Sequence, residues 1–329
     1  MPQPPDIFIE YAGWMKARII LTAAELDIFT LLDEKPLSAE NLAQKLNAAA
    51  RAVTRILDCL VVFELLHKKN GCYALTEKGY FFSSKHPQSV LPMLLHMNNM
   101  WDNWAQLTAA VRQGKNPSLT SVIDAKDEGI TKAFIGAMHV IGRSLSREIA
   151  SSYDVSKFKR LLDLGGGSGT YTIAFLEKNQ NMTGVIFDLP DVISLAAERM
   201  KDEGYLKRVT LVAGDFYKDE LPAGCDLALL SAIIHQNSPQ ENLDLYKKIY
   251  RALAPGGMLL IRDHVMDESR TKPPAGALFA INMLVATAGG DTYTFKNIKD
   301  TLEQAGFQVV KQVRSGERMD CLVEARKPR

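Results

Sequence analysis

The hydrophobic rhythm of the chain changes twice. Up to about residue 85, apolar positions recur at helical spacing through "WMKARIILTAAELDIFTLL". They do so again at Val53, Ile56, Leu57, Leu60 and Val61 in "AARAVTRILDCLVVFELL". Between the two, Ser38 stands as the N-cap of a shorter helix, "LSAENLAQKL". "LLHKKNGCYALT" then predicts a hairpin, because Asn70-Gly71 suits the two positive φ values of a tight hairpin turn. Three helical segments closed by a β-wing outline a winged helix. Residues 86–155 read as helix throughout, in "LPMLLHMNNMWDNWAQLTAAV" and "ITKAFIGAMHVIGRSLSREIA". From about residue 156 to 329, short apolar runs alternate with helical patterns, which predicts a parallel α/β sheet. Its predicted strands are "KRLLDL", "TGVIFDL", "VTLVAGD", "DLALLSAII" and "GMLLIRDHV". "FQVVKQVR" and "MDCLVEAR" follow the helix "TFKNIKDTLEQAG" and predict a terminal hairpin.

Composition narrows the function classes. Lys+Arg 39 against Asp+Glu 38 leaves a net charge of +1, so no global field favours nucleic acid or an anionic membrane. A winged helix invites a DNA-binding reading, but residues 36–82 hold only six basic side chains (Lys45, Arg51, Arg55, Lys68, Lys69, Lys78) against four acidic ones. The would-be recognition helix offers Arg51 and Arg55 amid many apolar residues, too sparse a basic stripe for phosphates. Packing on a partner surface, most simply in a homodimer, suits it better. The four cysteines lie far apart with no C-x-x-C pair, which argues against a zinc site and for a reducing cytoplasm. No run reaches about 18 uninterrupted apolar residues, and "MPQPPDIFIEYAGWMK" lacks a basic segment followed by an apolar core. The expectation is a cytosolic protein with no membrane partner.

Chemistry concentrates in the last zone. "LLDLGGGSGTYTIAFLE" is a strand, a glycine turn and a helix start, the layout of a nucleotide-like cofactor loop. An NAD fingerprint would read G-x-G-x-x-G/A; Gly165 and Gly167 fit it, but Thr170 holds its last position. The stretch Asp163 to Gly169 reads more naturally as D-x-G-x-G-x-G, which resembles motif I of class I S-adenosylmethionine (SAM) methyltransferases. Asp188 ends the next strand, where an acid can bind ribose hydroxyls in either cofactor. Asp215 ends the third beside Phe216, an acceptor and an apolar ring suited to an adenine edge and face. Each aspartate alone could be an ordinary strand-end turn residue; their order with Asp163 and the glycines favours SAM.

Nearly the whole chain resembles the dimeric small-molecule O-methyltransferases, which include caffeate, flavonoid, hydroxyindole and bacterial natural-product enzymes. The residues that carry the resemblance are "LLDLGGGSGT", "VIFDLPDVI", "RVTLVAGDFY", the His235–Gly257 stretch with "ALAPGG", and "AGF" at 305–307, together with the winged-helix region. The resemblance implies a Rossmann-like class I methyltransferase sheet at 156–329, a winged-helix dimerisation domain at 1–85 and a helical, substrate-lining region at 86–155. It implies SAM as cofactor, S-adenosylhomocysteine as product and no metal. Gly165, Gly167, Asp188, Leu189, Asp215 and Phe216 would contact SAM. Ser231 occupies a place where plant members often carry a SAM-contacting lysine. His235 stands at the general-base position, and Asp263 replaces the strand-end glutamate that flanks it. A second flanking glutamate has no clear match, Asp291 being one residue out of register. Plant members continue the histidine with Asp-Trp-Ser-Asp; here Gln236, Asn237, Ser238 and Pro239 follow, so only the serine survives.

A phenol is a poor nucleophile when neutral, so a base within hydrogen-bond reach assists methyl transfer. A histidine after a parallel strand faces the ligand crevice of such a sheet. The competing reading of His235 is a polar residue capping the following helix. Met138 matches a family position that lines the aromatic substrate, with Phe134 and His139 adjacent; Asn98, Trp101, Asn282 and Met283 are further candidates. Such a stripe at helical spacing also describes plain core. The function expected is methylation of a hydroxyl on a small aromatic or polyketide-like molecule. Transfer to carbon or nitrogen of an aromatic or tetrapyrrole ring, a SAM-binding homologue that does not methylate, and a SAM-responsive DNA-binding regulator are the alternatives.

Overall fold

The structure, a computed structural model, describes residues 13–120 and 127–329. The chain divides into two compact units, 1–101 with 132–140 and 102–131 with 141–329.

In the first unit the apolar run after Trp14 forms two helices, α1 (Trp14–Glu25) and α2 (Ile28–Glu34). They part at Asp27, which takes a left-handed conformation (φ 53°) that short polar side chains tolerate. A short strand β1 (Leu37–Ser38) leads into α3 (Ala39–Lys45), where the Ser38 side chain accepts from Asn41 N at 3.2 Å as the expected cap. The next helix, α4 (Ala50–Val62), is the would-be recognition helix. It turns Val53, Leu57 and Leu60 into the unit's own core with Phe29, Leu42 and Tyr73. Ile56 and Val61 pack partly against that core, while Val62 remains 78% exposed. The hairpin β2 (Leu66–Lys69) and β3 (Cys72–Leu75) closes through Asn70 (φ 52°) and Gly71 (φ 76°), both positive as a two-residue primed turn requires. β1 pairs with β3 to complete the wing, and α5 (Glu77–Tyr80) ends it.

The middle of the chain is helical: α6 (Leu91–Asn99), α7 (Trp101–Ala105), α8 (Leu107–Gln113) and the 25-residue α9 (Glu128–Ser152).

The second unit is built on a seven-stranded sheet. In chain order it holds β4 (Arg160–Leu164), α10 (Thr170–Lys178), β5 (Thr183–Asp188), α11 (Pro190–Asp202), β6 (Val209–Ala213) and β7 (Cys225–Ser231). It continues with α12 (Pro239–Ala252), β8 (Leu253–Asp263), β9 (Val265–Met266), α13 (Pro274–Ala286), β10 (Tyr293–Thr294) and α14 (Phe295–Gln304). The terminal hairpin is β11 (Gln308–Arg314) and β12 (Cys321–Arg326). The strand order is β11-β12-β8-β7-β4-β5-β6, parallel from β8 to β6 and antiparallel at the hairpin. Both faces are covered, so the strands are apolar along their length: Leu162 and Leu164 pack in one core with Ile249 and Leu302, Leu161 in the other with Phe175 and Met200. From β4 the chain runs outward to β5 and β6, then returns to β7 and β8. The crevice between β4 and β7, at their carboxyl ends, is therefore the switch point where ligands bind such sheets. Among the described residues no helix is long and apolar enough to cross a membrane.

Candidate active site

Every cofactor position expected from the sequence lies along the carboxyl edge of this sheet. The glycine loop follows β4, with Gly165 at φ 63° and Gly167 at φ 55°. A Cβ on Gly165 would come within 2.7 Å of Ile233 Cδ1 and 3.5 Å of Phe216 Cε1, so this glycine also lets residues after β6 and β7 close on the loop. Beneath the loop, Asp163 is 1% exposed and Thr172 Oγ1 donates to its Oδ2 at 2.6 Å, while Oδ1 is buried without a partner. Burial pushes the Asp163 carboxyl up to about 7, with the Thr172 hydrogen bond opposing.

Asp188, at the end of β5, accepts Gly167 N on Oδ2 and Leu189 N on Oδ1, both at 2.8 Å. Burial raises its carboxyl, and these two N–H groups offset part of the rise. The acid is thereby locked to the loop with lone pairs left for further donors. Asp215 differs: it accepts Tyr217 N at 2.9 Å and pairs with Lys218 Nζ at 2.8 Å. Its partial burial is outweighed by Lys218 and the Tyr217 N–H, so its carboxyl sits below the usual range. Phe216 lies half-buried beside it, its ring 4.5 Å from Tyr217. Ser231 ends β7, and its hydroxyl accepts from Arg262 Nε at 2.8 Å. Arg262 is 4% exposed and stacks 4.8 Å over Tyr171; no periodicity or motif spacing marks it in the chain.

The acid–base pair lies on the other side of the switch point. β7 is shorter than its apolar run: it stops at Ser231, Ala232 turns the chain at φ 60°, and His235 sits in a 3₁₀ turn, Ile234–Gln236, rather than at the strand end. His235 Nδ1 lies 3.0 and 2.9 Å from the two oxygens of Asp263, the last residue of β8. His235 is 8% exposed and Asp263 1%. Burial alone would raise the Asp263 carboxyl, but His235, Arg262 and the His264 N–H, which donates at 2.8 Å, hold it below its ordinary value. A carboxylate only accepts, so Nδ1 carries a proton, and in the neutral ring the lone pair is the one on Nε2.

The helix-capping alternative for His235 fails. Ser238 caps α12 in a reciprocal capping box with Glu241. Asn237, a departure from the plant pattern, is 1% exposed and donates to Asn242 Oδ1 at 3.0 Å. It also accepts from the hydroxyls of Tyr217 on Oδ1 and Tyr293 on its carbonyl. Asn242 Nδ2 in turn donates to Ile234 O at 2.9 Å, and Asp291 N donates to His235 O at 2.9 Å. The residues after the histidine thus clamp its backbone. The Asp291 carboxylate pairs instead with Arg270, so it does not flank the imidazole.

The candidate acceptor residues are dispersed. Asn98, Trp101, Phe134, Met138 and His139 belong to the first unit, all half-buried; Arg18 Nη1 donates to Asn98 Oδ1 at 2.6 Å, and His96 packs 5.2 Å from Phe134. Asn282 and Met283 belong to the second. Met283 is buried (5% exposed), and Asn282 accepts from Trp104 Nε1 at 2.9 Å. One helical turn earlier, Phe279 meets His235 edge-on at 4.9 Å. Its i, i+3 relation to Asn282 is the signal that would have found it.

Residues 104–308 match the O-methyltransferase domain and residues 10–85 the O-methyltransferase dimerisation domain. The chain belongs to the O-methyltransferase family. The methyltransferase is 30% identical to chicken (Gallus gallus) acetylserotonin O-methyltransferase over 97% of this chain and 96% of that one. It is 29% identical to the tetracenomycin polyketide synthesis 8-O-methyl transferase of Streptomyces glaucescens, covering 99% and 97%. The structure of human N-acetylserotonin methyltransferase in complex with SAM superposes with a TM-score of 0.85 at 26% identity, covering 100% and 99%. SAM is the cofactor, and the residues present fit it. Asp188 has acceptor capacity for two hydroxyl donors, and the unpartnered Asp163 oxygen lies beneath the same loop.

Proposed function

We propose that this methyltransferase methylates a hydroxyl of a small aromatic or polyketide-like molecule, with His235 as general base, and acts as a homodimer through its dimerisation domain. The buried His235–Asp263 pair beside the cofactor edge carries this reading. The relatives named for acetylserotonin and tetracenomycin support the acceptor class. On this reading residues 156–329 hold SAM. Asp188 takes the ribose hydroxyls, Leu189 and the loop at Gly165 and Gly167 close over the nucleoside, and Asp215 with Phe216 reads the adenine.

SAM, when bound, would supply a methyl group on a sulfonium, which an acceptor oxygen takes in line as the C–S bond breaks and S-adenosylhomocysteine leaves. The chain's task is to hold the acceptor and to receive its proton. His235 accepts that proton at Nε2, and Asp263, already accepting from Nδ1, stabilises the imidazolium that results. The clamped turn from Ile234 to Asn242 keeps the imidazole from rotating away.

Methyl-labelled SAM offered with phenols, quinols and hydroxylated polyketides, followed by product NMR, should place the label on oxygen; a methyl found only on carbon or nitrogen rejects the acceptor class. His235→Ala should lower kcat by roughly 10²–10⁴-fold and leave SAM affinity by calorimetry within about twofold. Unaltered turnover removes the base assignment.

A further inference from the structure

The loop assigned to the adenine and the turn that holds His235 are joined by one hydroxyl. Asp219 N donates to Asp215 O at 2.7 Å and Asp215 N to Asp219 Oδ2 at 2.8 Å, so the segment from Asp215 to Asp219 closes on itself. Lys248 Nζ, from α12, donates to the carbonyls of Phe216, Tyr217 and Asp219 at 3.1, 2.9 and 3.0 Å. The loop therefore rides as one piece on the helix that follows His235. From this loop the Tyr217 hydroxyl bonds Asn237. The direction of each bond in the chain behind it is fixed. Ile234 O can only accept, so Asn242 turns Nδ2 to it and Oδ1 to Asn237. Asn237 gives its Nδ2 to Asn242 and offers Oδ1 to Tyr217, which must donate. Gln236 Nε2 then donates to the phenolic oxygen at 3.1 Å. Ile234 and Gln236 flank His235, so one hydroxyl holds the chain on both sides of the base.

We propose that Tyr217 is a positioning residue that carries cofactor occupancy to the base: a nucleoside on Asp215 and Phe216 fixes the loop, and the Tyr217 hydroxyl fixes His235 on Asp263. The inference rests on the adenine and general-base readings above. Both groups assigned to the adenine touch Tyr217 directly, since its N–H donates to Asp215 Oδ1 at 2.9 Å and its ring lies 4.5 Å from Phe216. On the other side, Ile233 packs in the core that Phe216 rests against. Tyr217 is 45% exposed and Asn237 1%, so the tie runs from a surface loop to a buried amide. Without the hydroxyl, Asn237 Oδ1 is a buried acceptor that has lost its donor, and the turn gains by moving it toward water. Gln236 and Asn237, the two departures from the plant pattern, are the pair this hydroxyl joins.

The test reads the His235 Nδ1 proton that Asp263 accepts, so it needs no methyl acceptor. In enzyme labelled with ¹⁵N-histidine, the His235 line is the one missing from His235→Gln, and saturation transfer follows its exchange with water. Saturating S-adenosylhomocysteine should slow that exchange about tenfold in the wild type, the upper end for one net hydrogen bond. Tyr217→Phe keeps the ring beside Phe216 and should cut the slowing to about twofold or less. Its S-adenosylhomocysteine affinity should stay within about tenfold of wild type, the most that a tenfold coupling can cost, which also shows that it is folded. With an acceptor from the label screen, Tyr217→Phe should lower kcat about tenfold at saturating SAM; a role confined to holding the adenine loop leaves that kcat unaltered. Should the Phe variant not fold, two fragments decide in the wild type: adenosine must slow the exchange and methionine must not. No slowing in the wild type, slowing that survives in Tyr217→Phe, or an unaltered kcat overturns the coupling. None of these results touches the oxygen-methylation reading, which stands or falls on product NMR and His235→Ala.

Discussion

The two halves of the sheet's carboxyl edge hold their acids by different means. On the cofactor side, Asp188 is fixed by backbone N–H groups of Gly167 and Leu189, its loop and its own neighbour. On the acceptor side, Asp263 is fixed by a side chain 28 residues away, His235, whose turn is itself clamped by Asn237, Asn242 and Asp291. Backbone donors cannot be mutated away and do not titrate, so the first arrangement serves binding that must be constant. The second pairs two titratable groups and suits a site that gains and loses a proton each turnover. On the proposed reading, the same edge separates recognition of a fixed ligand from proton transfer.

Substitutions should break the two halves separately. After His235→Ala, the largest effect is expected at Asp263. Asp263→Asn removes the charge that stabilises the imidazolium and should cost on the order of 10³-fold in kcat with SAM affinity retained; a comparable loss of SAM binding would merge the two halves. Asp188→Ala should do the reverse, weakening SAM by about a hundredfold through two lost charge-assisted hydrogen bonds, with kcat largely recovered at saturating SAM. Isothermal titration and initial-rate kinetics on both variants make the comparison direct.

Smaller effects refine it. Asp163 has a folded pKa of about 7 against an ordinary 3.8, so the folded state binds the proton more tightly and stability falls as pH rises between those values. Asp163→Asn should flatten that fall, by roughly 2 kcal/mol between about pH 5 and 7, in Tm measured across pH. An unaltered pH slope would show that Asp163 is not the buried acid responsible. Ser238→Ala, which removes the cap behind the His235 turn, should cost about 1 kcal/mol in stability by chemical denaturation. A larger drop in kcat than in stability would show that this cap also positions the base.

Legibility differed between the same two regions. The glycine loop, Asp188 and Asp215 could be read because each follows a strand at short, regular spacing, and local order along the chain is order along the sheet edge. Ser38, Asn70 and Gly71 were legible for the same reason, since caps and tight turns are set by neighbouring residues. The run 226–234 misled as to where β7 ends, because an apolar pattern does not reveal that Ala232 leaves the strand with positive φ. Gln236 and Asn237 looked like bare departures from a motif. Asn237 proved to be the buried tie between Asn242, Tyr217 and Tyr293, contacts 5 to 56 residues apart.

By itself the sequence determined the fold class, the winged-helix outline and the cofactor type. Each is written in periodicity, in turn residues or in the spacing of a local motif. Only the tertiary structure decided that Asp263 faces His235, that Asp291 does not, and that Phe279 meets His235 edge-on. Those relations depend on strand register and helix packing, where residues distant in the chain meet. No periodicity along one segment records which side chain of another segment it will touch.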